Sequence, residues 1–193
     1  MTDMMQKLGI EHRNMARLLN ILEQQLAIFE RGDRPDYDII QAIATYFTGF
    51  PDSCHHPKED MILSRMRIRD AKAAERVGDL ESEHQEISVL AKRFNEMVEN
   101  ILNEGEISRE EFSAAIRDFL DCQRRHMQGE REGFFLIAEA TLEPSDWEEL
   151  DSAVNDEDDP VFGGELSLEF EILREEIMRW QEEDEKAALM GQR

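Results

Sequence analysis

Two of the chain's five histidines are followed four residues later by a glutamate: His55 by Glu59 and His126 by Glu130. On a helix this spacing stacks imidazole and carboxylate on one face, where both reach a single metal centre. One such pair carries little weight in a glutamate-rich chain, but the layout repeats. His12 precedes His84 by 72 residues, His55 precedes His126 by 71, and Glu59 precedes Glu130 by 71. Each half of the chain therefore offers a lone histidine on a first helical stretch and a His-x-x-x-Glu on a second. Folding the two halves together would bring His12, His55, His84, His126, Glu59 and Glu130 into one interior with pseudo-twofold symmetry. Carboxylates bridge metals and imidazoles complete their coordination, so this donor set suits two iron ions better than calcium or copper–thiolate chemistry, with zinc and manganese able to occupy a similar cage.

The elements that must position these residues read as helices. Met5, Leu8, His12, Met15, Leu19, Leu22, Leu26 and Phe29 form a seam of three- and four-residue steps, closed by Gly32 and Pro35. A second helix begins near Asp36 and carries Ile40, Ile43, Phe47 and Phe50. Gly49, Pro51 and Pro57 interrupt it before Ile62, Leu63 and Met66 resume the pattern. The third runs from Val77 through His84 to Ile101 and ends at Gly105. Ser108 and Glu111 form a capping box that opens the fourth, which carries Phe112, Phe119, Cys122, His126 and Ile137. Long helices joined by short loops predict an all-α fold, an up-down-up-down four-helix bundle over residues 1–144. An acidic C-terminal extension is expected over 145–193. It comprises a short helix capped from Ser145, an acidic loop at 155–160, and an amphipathic helix bearing Leu166, Phe170, Leu173, Ile177 and Trp180. That last helix packs on the bundle or on a partner, a homodimer through it being one option.

Composition narrows the function classes. Lys and Arg number 22 against 45 Asp and Glu, a formal charge of -23 that disfavours nucleic acid and anionic membranes and attracts cations such as ferrous iron. Two cysteines cannot build a disulfide framework. No apolar run approaches a bilayer span, and the N-terminus lacks the form of a secretory signal, so the expected location is cytoplasmic.

The segments His55-His56-Pro57-Lys58-Glu59-Asp60, Glu83-His84 and His126-Met127-Gln128-Gly129-Glu130, together with His12, resemble the hemerythrin-like (HHE cation-binding) family. Leu142 to Trp147 and Asp159 to Gly163 resemble its bacterial members. The resemblance, over about residues 5–165, implies a bundle holding a non-haem di-iron centre with an oxo or hydroxo bridge. It would put His12 and His55 on one iron, His84 and His126 on the other, and Glu59 and Glu130 between them. The implied function is binding of O2, peroxide or nitric oxide for oxygen or redox sensing or iron homeostasis. A di-iron peroxidase or nitric oxide reductase, or an iron donor for iron–sulfur cluster repair, are the alternatives. The chain departs from oxygen-carrying hemerythrins in having Ser88 where they have a second third-helix histidine. It also has Arg131 where they place an aspartate, with Glu130 one residue earlier, so one imidazole is expected to be missing and a coordination position open.

Other residues carry plainer expectations. His56 lies about 100° around the helix from His55 and is read as outer-shell or solvent-facing, with an exchange of roles conceivable because Pro57 disturbs the helix. Glu81 and Glu83 read as solvated surface, Glu81 being near enough to approach an open metal position. Cys54 and Cys122 read as small buried hydrophobes and Tyr46 as packing. Phe47, Phe94, Phe112 and Phe119 read as core, and Gly129 and Gly133 as sites of close helix approach.

Overall fold

A computed structural model describes residues 2–154, 159–164 and 170–179. All regular structure among them is helical. Helix α1 (Asp3–Glu30) opens on Thr2, whose hydroxyl accepts from the Met5 amide. The second arm is α2 (Tyr37–Phe50), a π-helical turn over Pro51–His55, and α3 (His56–Arg69). A short α4 (Ala71–Glu75) leads to α5 (Leu80–Leu102), and the fourth arm is α6 (Arg109–Gly129), a second π-helical turn over Glu130–Phe134, and α7 (Phe135–Thr141). Helix α8 (Pro144–Ala153) follows, and residues 171–179 are again helical. Neighbouring arms pack in a ring, α1 on α2, α2 on α5, α5 on α6 and α6 on α1, as a hemerythrin-like bundle requires.

The differences from expectation are local. The third arm starts at Leu80 on an Asp79 cap, leaving Val77 in a turn, because Gly78 at φ 89° breaks the helical run. Its far end closes where the Gly105 amide bonds the Asn100 carbonyl at 2.8 Å, so tightly that a side chain at 105 would strike Asn100. The short helix α8 begins at Pro144, not after Ser145, because the Asp146 carboxylate accepts from the Glu143 amide and from Arg65 and Arg69 of α3. Those cations hold the buried Asp146 carboxyl far below the usual range. Tyr46 is fully buried, as expected of packing, and its hydroxyl also donates to Asp159 at 3.1 Å. Gly129 and Gly133 show no close approach, since a Cβ at either would meet nothing within 4 Å.

Two apolar clusters fill the bundle. The larger holds Met15 to Phe29 of α1, the α2 seam, Phe94, Phe112 and Phe119, and the smaller holds Met4, Leu8, Ile62, Leu63, Met66, Phe134 and Trp147. Each large side chain removed from water contributes on the order of 2 kcal/mol. Phe170, Leu173 and Ile177 join the larger cluster, so the bundle itself covers that face of the last helical segment. Leu166, Trp180 and most of the acidic 155–160 loop lie outside the described residues.

Candidate metal centre

Between the two clusters, at one level on all four arms, the apolar seams give way to polar residues. His12 falls between Leu8 and Met15, His84 follows Leu80, and His126 and Glu130 lie between Leu120 and Phe134. On the second arm His55, His56 and Glu59 occupy this level. Glu59 is 0% exposed, and Glu130, His55, His84 and His126 are all buried.

The donors form two groups. His12, His55, Glu59 and Glu130 bring one ligand atom each within 4.8 Å of one another, and so do His56, Glu59, His84 and His126. The Nε2 atoms of His12 and His55 are 3.0 Å apart, with His12 Nε2 3.1 Å from Glu130 and His55 Nε2 3.3 Å from Glu59. Two nitrogens bound at right angles to one ion, each about 2.1 Å away, would lie about 3 Å apart. Opposite, His84 Nε2 stands 3.3 Å from Glu59 and 3.6 Å from Glu130, and His126 Nε2 stands 2.9 Å from Glu130. Both carboxylates therefore face both groups of imidazoles.

All six residues expected from the sequence meet here, and His56 joins them. It is 4% exposed, not solvent-facing, and its ring stacks on His84 at 4.0 Å. The π turn is the reason. Pro57 has no amide to offer the Ser53 carbonyl, and the His56 amide reaches back five residues to Pro51. The helical screw changes between His55 and His56, so both neighbours enter the interior instead of diverging. Five imidazoles and two carboxylates thus share this layer, one imidazole more than the six-residue set expected from the sequence. The second π turn, closed by the Phe135 amide on the Glu130 carbonyl, sets Glu130 beneath His126.

Carboxylates back the rings. Nδ1 lies 2.7 Å from Glu11 in His55, 3.2 Å from Asp52 in His56, 3.0 Å from Glu83 in His126 and 3.6 Å from Asp60 in His84. The first three contacts fix the tautomer and aim Nε2 inward, as the outer shell of a metal site does. Glu83 is thus a working contact despite its exposure, whereas Glu81 pairs with Arg67 at 2.7 Å. Glu11 also receives the ammonium of Lys58, which is 2% exposed. Sequence reasoning passed over Glu11 and Lys58, although Glu11 stands three residues after Leu8 and four before Met15, inside the apolar seam. Cys54 and Cys122 are buried and belong to neither donor group, as the plainer reading held.

Burial and the nearby Glu130 charge push the Glu59 carboxyl up, yet the His55 and His84 imidazoles hold it below the usual range. Glu130 is held well below by His12, His126 and His84 against its own burial. Despite desolvation, Glu59 and Glu11 lift His55 to about 10, and Glu130 and Glu59 lift His84 to about 9. Burial lowers His56, with Asp52 opposing. Even so, seven buried atoms here lack a hydrogen bond: Nε2 of His56, His84 and His126, and both oxygens of Glu59 and of Glu130. An unmet buried polar atom costs about 1–3 kcal/mol, so this convergence fits a cation that would satisfy them together.

Two openings reach the layer. One, of about 420 Å³, is lined by Asp52, Asp60, Glu81, Ser88, His56 and His84. The other, of about 710 Å³, runs between α1 and the α6–α7 arm and reaches His12.

An all-helical bundle with a buried layer of imidazoles and carboxylates defines a cation-binding protein of the metal-centred bundle class. A family model for the hemerythrin HHE cation-binding domain matches residues 3–138, and the chain belongs to that family. No curated protein and no solved structure shows significant similarity to it. Among the described residues no helix is long and apolar enough to cross a membrane.

Proposed function

We propose that the chain binds two iron ions as a bridged pair and, through them, O2 or a related small ligand, serving oxygen or redox sensing or iron handling. The observation that carries this reading is the set of seven unsatisfied donor atoms converging within one buried layer. His12 and His55 would hold one ion, His56, His84 and His126 the other, with Glu59 and Glu130 shared. When bound, an iron pair supplies coordination of a diatomic ligand and single-electron exchange.

The chain's own residues do the rest. Glu11, Asp52 and Glu83 hold the Nδ1 edges, fixing which nitrogen is free to ligate. Two imidazoles on the His12 side against three on the other leave the coordination shell emptier beside His12, and the larger opening lies on that side. Phe135, whose ring centre is 5.3 Å from that of His12, and the flanking apolar clusters limit water. The acidic opening over His56 and His84 suits entry of the cation itself.

Elemental analysis of untagged protein tests the proposal. About two irons per chain, falling in Glu59→Ala and His84→Ala, is expected, with a ligand spectrum that reverses on removal of oxygen. Negligible iron after anaerobic loading with ferrous ions would overturn it. Sustained peroxide consumption without free iron would make the chain an enzyme instead.

A further inference from the structure

The groove of about 710 Å³ along α1 has a lining that the metal layer does not explain. On α1 it extends from Met5 to Ala16, roughly 16 Å at the helical rise. Its lining joins three cations, Arg13, Arg124 and Arg131, to three apolar side chains, Ile10, Phe135 and Leu136, with Glu139 its one acidic residue. The Arg13 guanidinium lies over Gly9, and the Phe135 ring centre lies 5.3 Å from that of His12. Ile10 and Leu136 are 49% and 59% exposed, two large apolar side chains held open to water on facing arms. Arg124 pairs with Glu23 on α1. Among the described residues Arg13 and Arg131 have no acidic partner, in a chain carrying 45 Asp and Glu.

The floor is open because of Gly9. A Cβ there would meet only the Arg13 guanidinium, at 3.7 Å, so no packing within the chain demands glycine. Glycine inside a helix costs about 1 kcal/mol relative to alanine, and here that cost leaves room over the groove floor. His12 forms part of the wall, and its Nε2 already faces His55 and Glu130. Its Nδ1, alone among the five imidazoles, faces no carboxylate of the described residues.

We propose that this groove binds an amphipathic organic carboxylate, its head between Arg13, Arg131 and the free edge of His12 and its acyl or aryl body against Ile10, Phe135 and Leu136. The size lies within the range of small-molecule sites, and two unpaired guanidiniums give a carboxylate charge-assisted hydrogen bonds. The net charge of -23 repels anions generally, so a carboxylate would depend on the local attraction of these two guanidiniums.

Titration calorimetry of the full chain with dodecanoate, dodecanol and dodecyltrimethylammonium, all below their micellar concentrations, tests this. Dodecanoate should bind one per chain, at least tenfold more tightly than either other probe. Arg13→Gln with Arg131→Gln should weaken it about tenfold or more while leaving dodecanol unchanged. Gly9→Leu should abolish binding of all three while raising the melting temperature, so its loss is not misfolding. Cationic amphiphile binding as tightly as dodecanoate, or Gly9→Leu binding normally, overturns the proposal. So does light scattering that shows the free chain pairing through this face, with Gly9→Leu abolishing the pairing. Iron content does not enter these outcomes, so they stand apart from the test of the metal centre.

Discussion

Replacing Glu11 by leucine separates what that carboxylate does for the fold from what it does for the site. Glu11 is buried, receives the Lys58 ammonium, and lies 2.7 Å from His55 Nδ1. Lys58 is 2% exposed and pairs with no other acidic group among the described residues, so Glu11→Leu strands a charge. Breaking one side of a buried pair costs about 3–5 kcal/mol, which at this chain length is on the order of 10 °C in melting temperature. Adding Lys58→Met removes the stranded charge and replaces the pair by apolar groups of similar size, and most of the lost stability should return, short of the parent by the about 1–3 kcal/mol that the unmet His55 Nδ1 costs. His55 gains nothing from that repair. Its Nδ1 remains without an acceptor, and loss of such an outer contact lowers metal affinity about 10- to 100-fold. Thermal melts of metal-free protein and competition titrations of the metal against a chelator read the two effects separately. Recovery of metal affinity in the double variant would refute the claim that Glu11 orients His55. An unchanged melting temperature in Glu11→Leu would refute the buried ion pair.

Four further outcomes follow from the geometry. His56→Phe keeps the ring stack on His84 but removes the donor, so iron content or affinity on that side should fall by tenfold or more while the metal-free melt shifts little. Stoichiometry and affinity equal to the parent would return His56 to an outer role. In metal-free protein the His55 and His84 values are raised from 6.5 to about 10 and 9, so their contribution is full below pH 6.5 and is lost as pH rises through 9 and 10. Melting temperature should therefore fall between pH 8 and 10 without metal and stay flatter with it, and metal affinity should climb over the same range as those protons become easier to displace. Tyr46→Phe deletes the bond to Asp159 at a cost of about 1 kcal/mol, and limited proteolysis should then cut sooner near 159–164. Asp146→Asn weakens the clamp of α8 on Arg65 and Arg69 and should lower the melting temperature at neutral pH by several degrees, and the gap to the parent should not close as pH falls through the ordinary carboxylate range, because those cations hold the Asp146 carboxyl far below it.

How much of this was legible in the chain depended on periodicity. The four arms, the Ser108 box and the six donors at repeated spacing follow from side-chain type and the 3.6-residue repeat, and all meet where that repeat puts them. His56 departs from the solvent-facing option for the same reason. A uniform screw sends neighbours about 100° apart. The chain changes screw at Pro51–His55, where Pro51 and, two residues past the turn, Pro57 withhold the amides an α-helix would use, and no periodic template includes that step. Gly129 and Gly133 failed differently: their residue type suggested tight packing, but only coordinates reveal that the space beside them is open. Glu11 and Lys58 lie hidden in the sequence because a buried glutamate is tolerable only with the lysine 47 residues away that neutralises it, and no local pattern links the two.

The π turns also explain why the metal layer sits where it does. Above the layer, α2 and α6 bury their seams in the larger cluster; below it, α3 and α7 bury theirs in the smaller one. A π turn between the two halves of each arm shifts the phase at the level where donors must converge, so the helix gains one inward-facing position without losing either seam. On the second arm that position is taken by a histidine, and on the fourth the turn begins at Glu130, which faces both groups of imidazoles. Two apolar clusters thus clamp a polar layer that no hydrogen bond within the chain fully satisfies. Without a cation, the raised His55 and His84 protons offset the two carboxylates in part. Two divalent cations would displace those protons and reach the unmet atoms as well, so metal binding and the stability of this middle layer are one linked equilibrium.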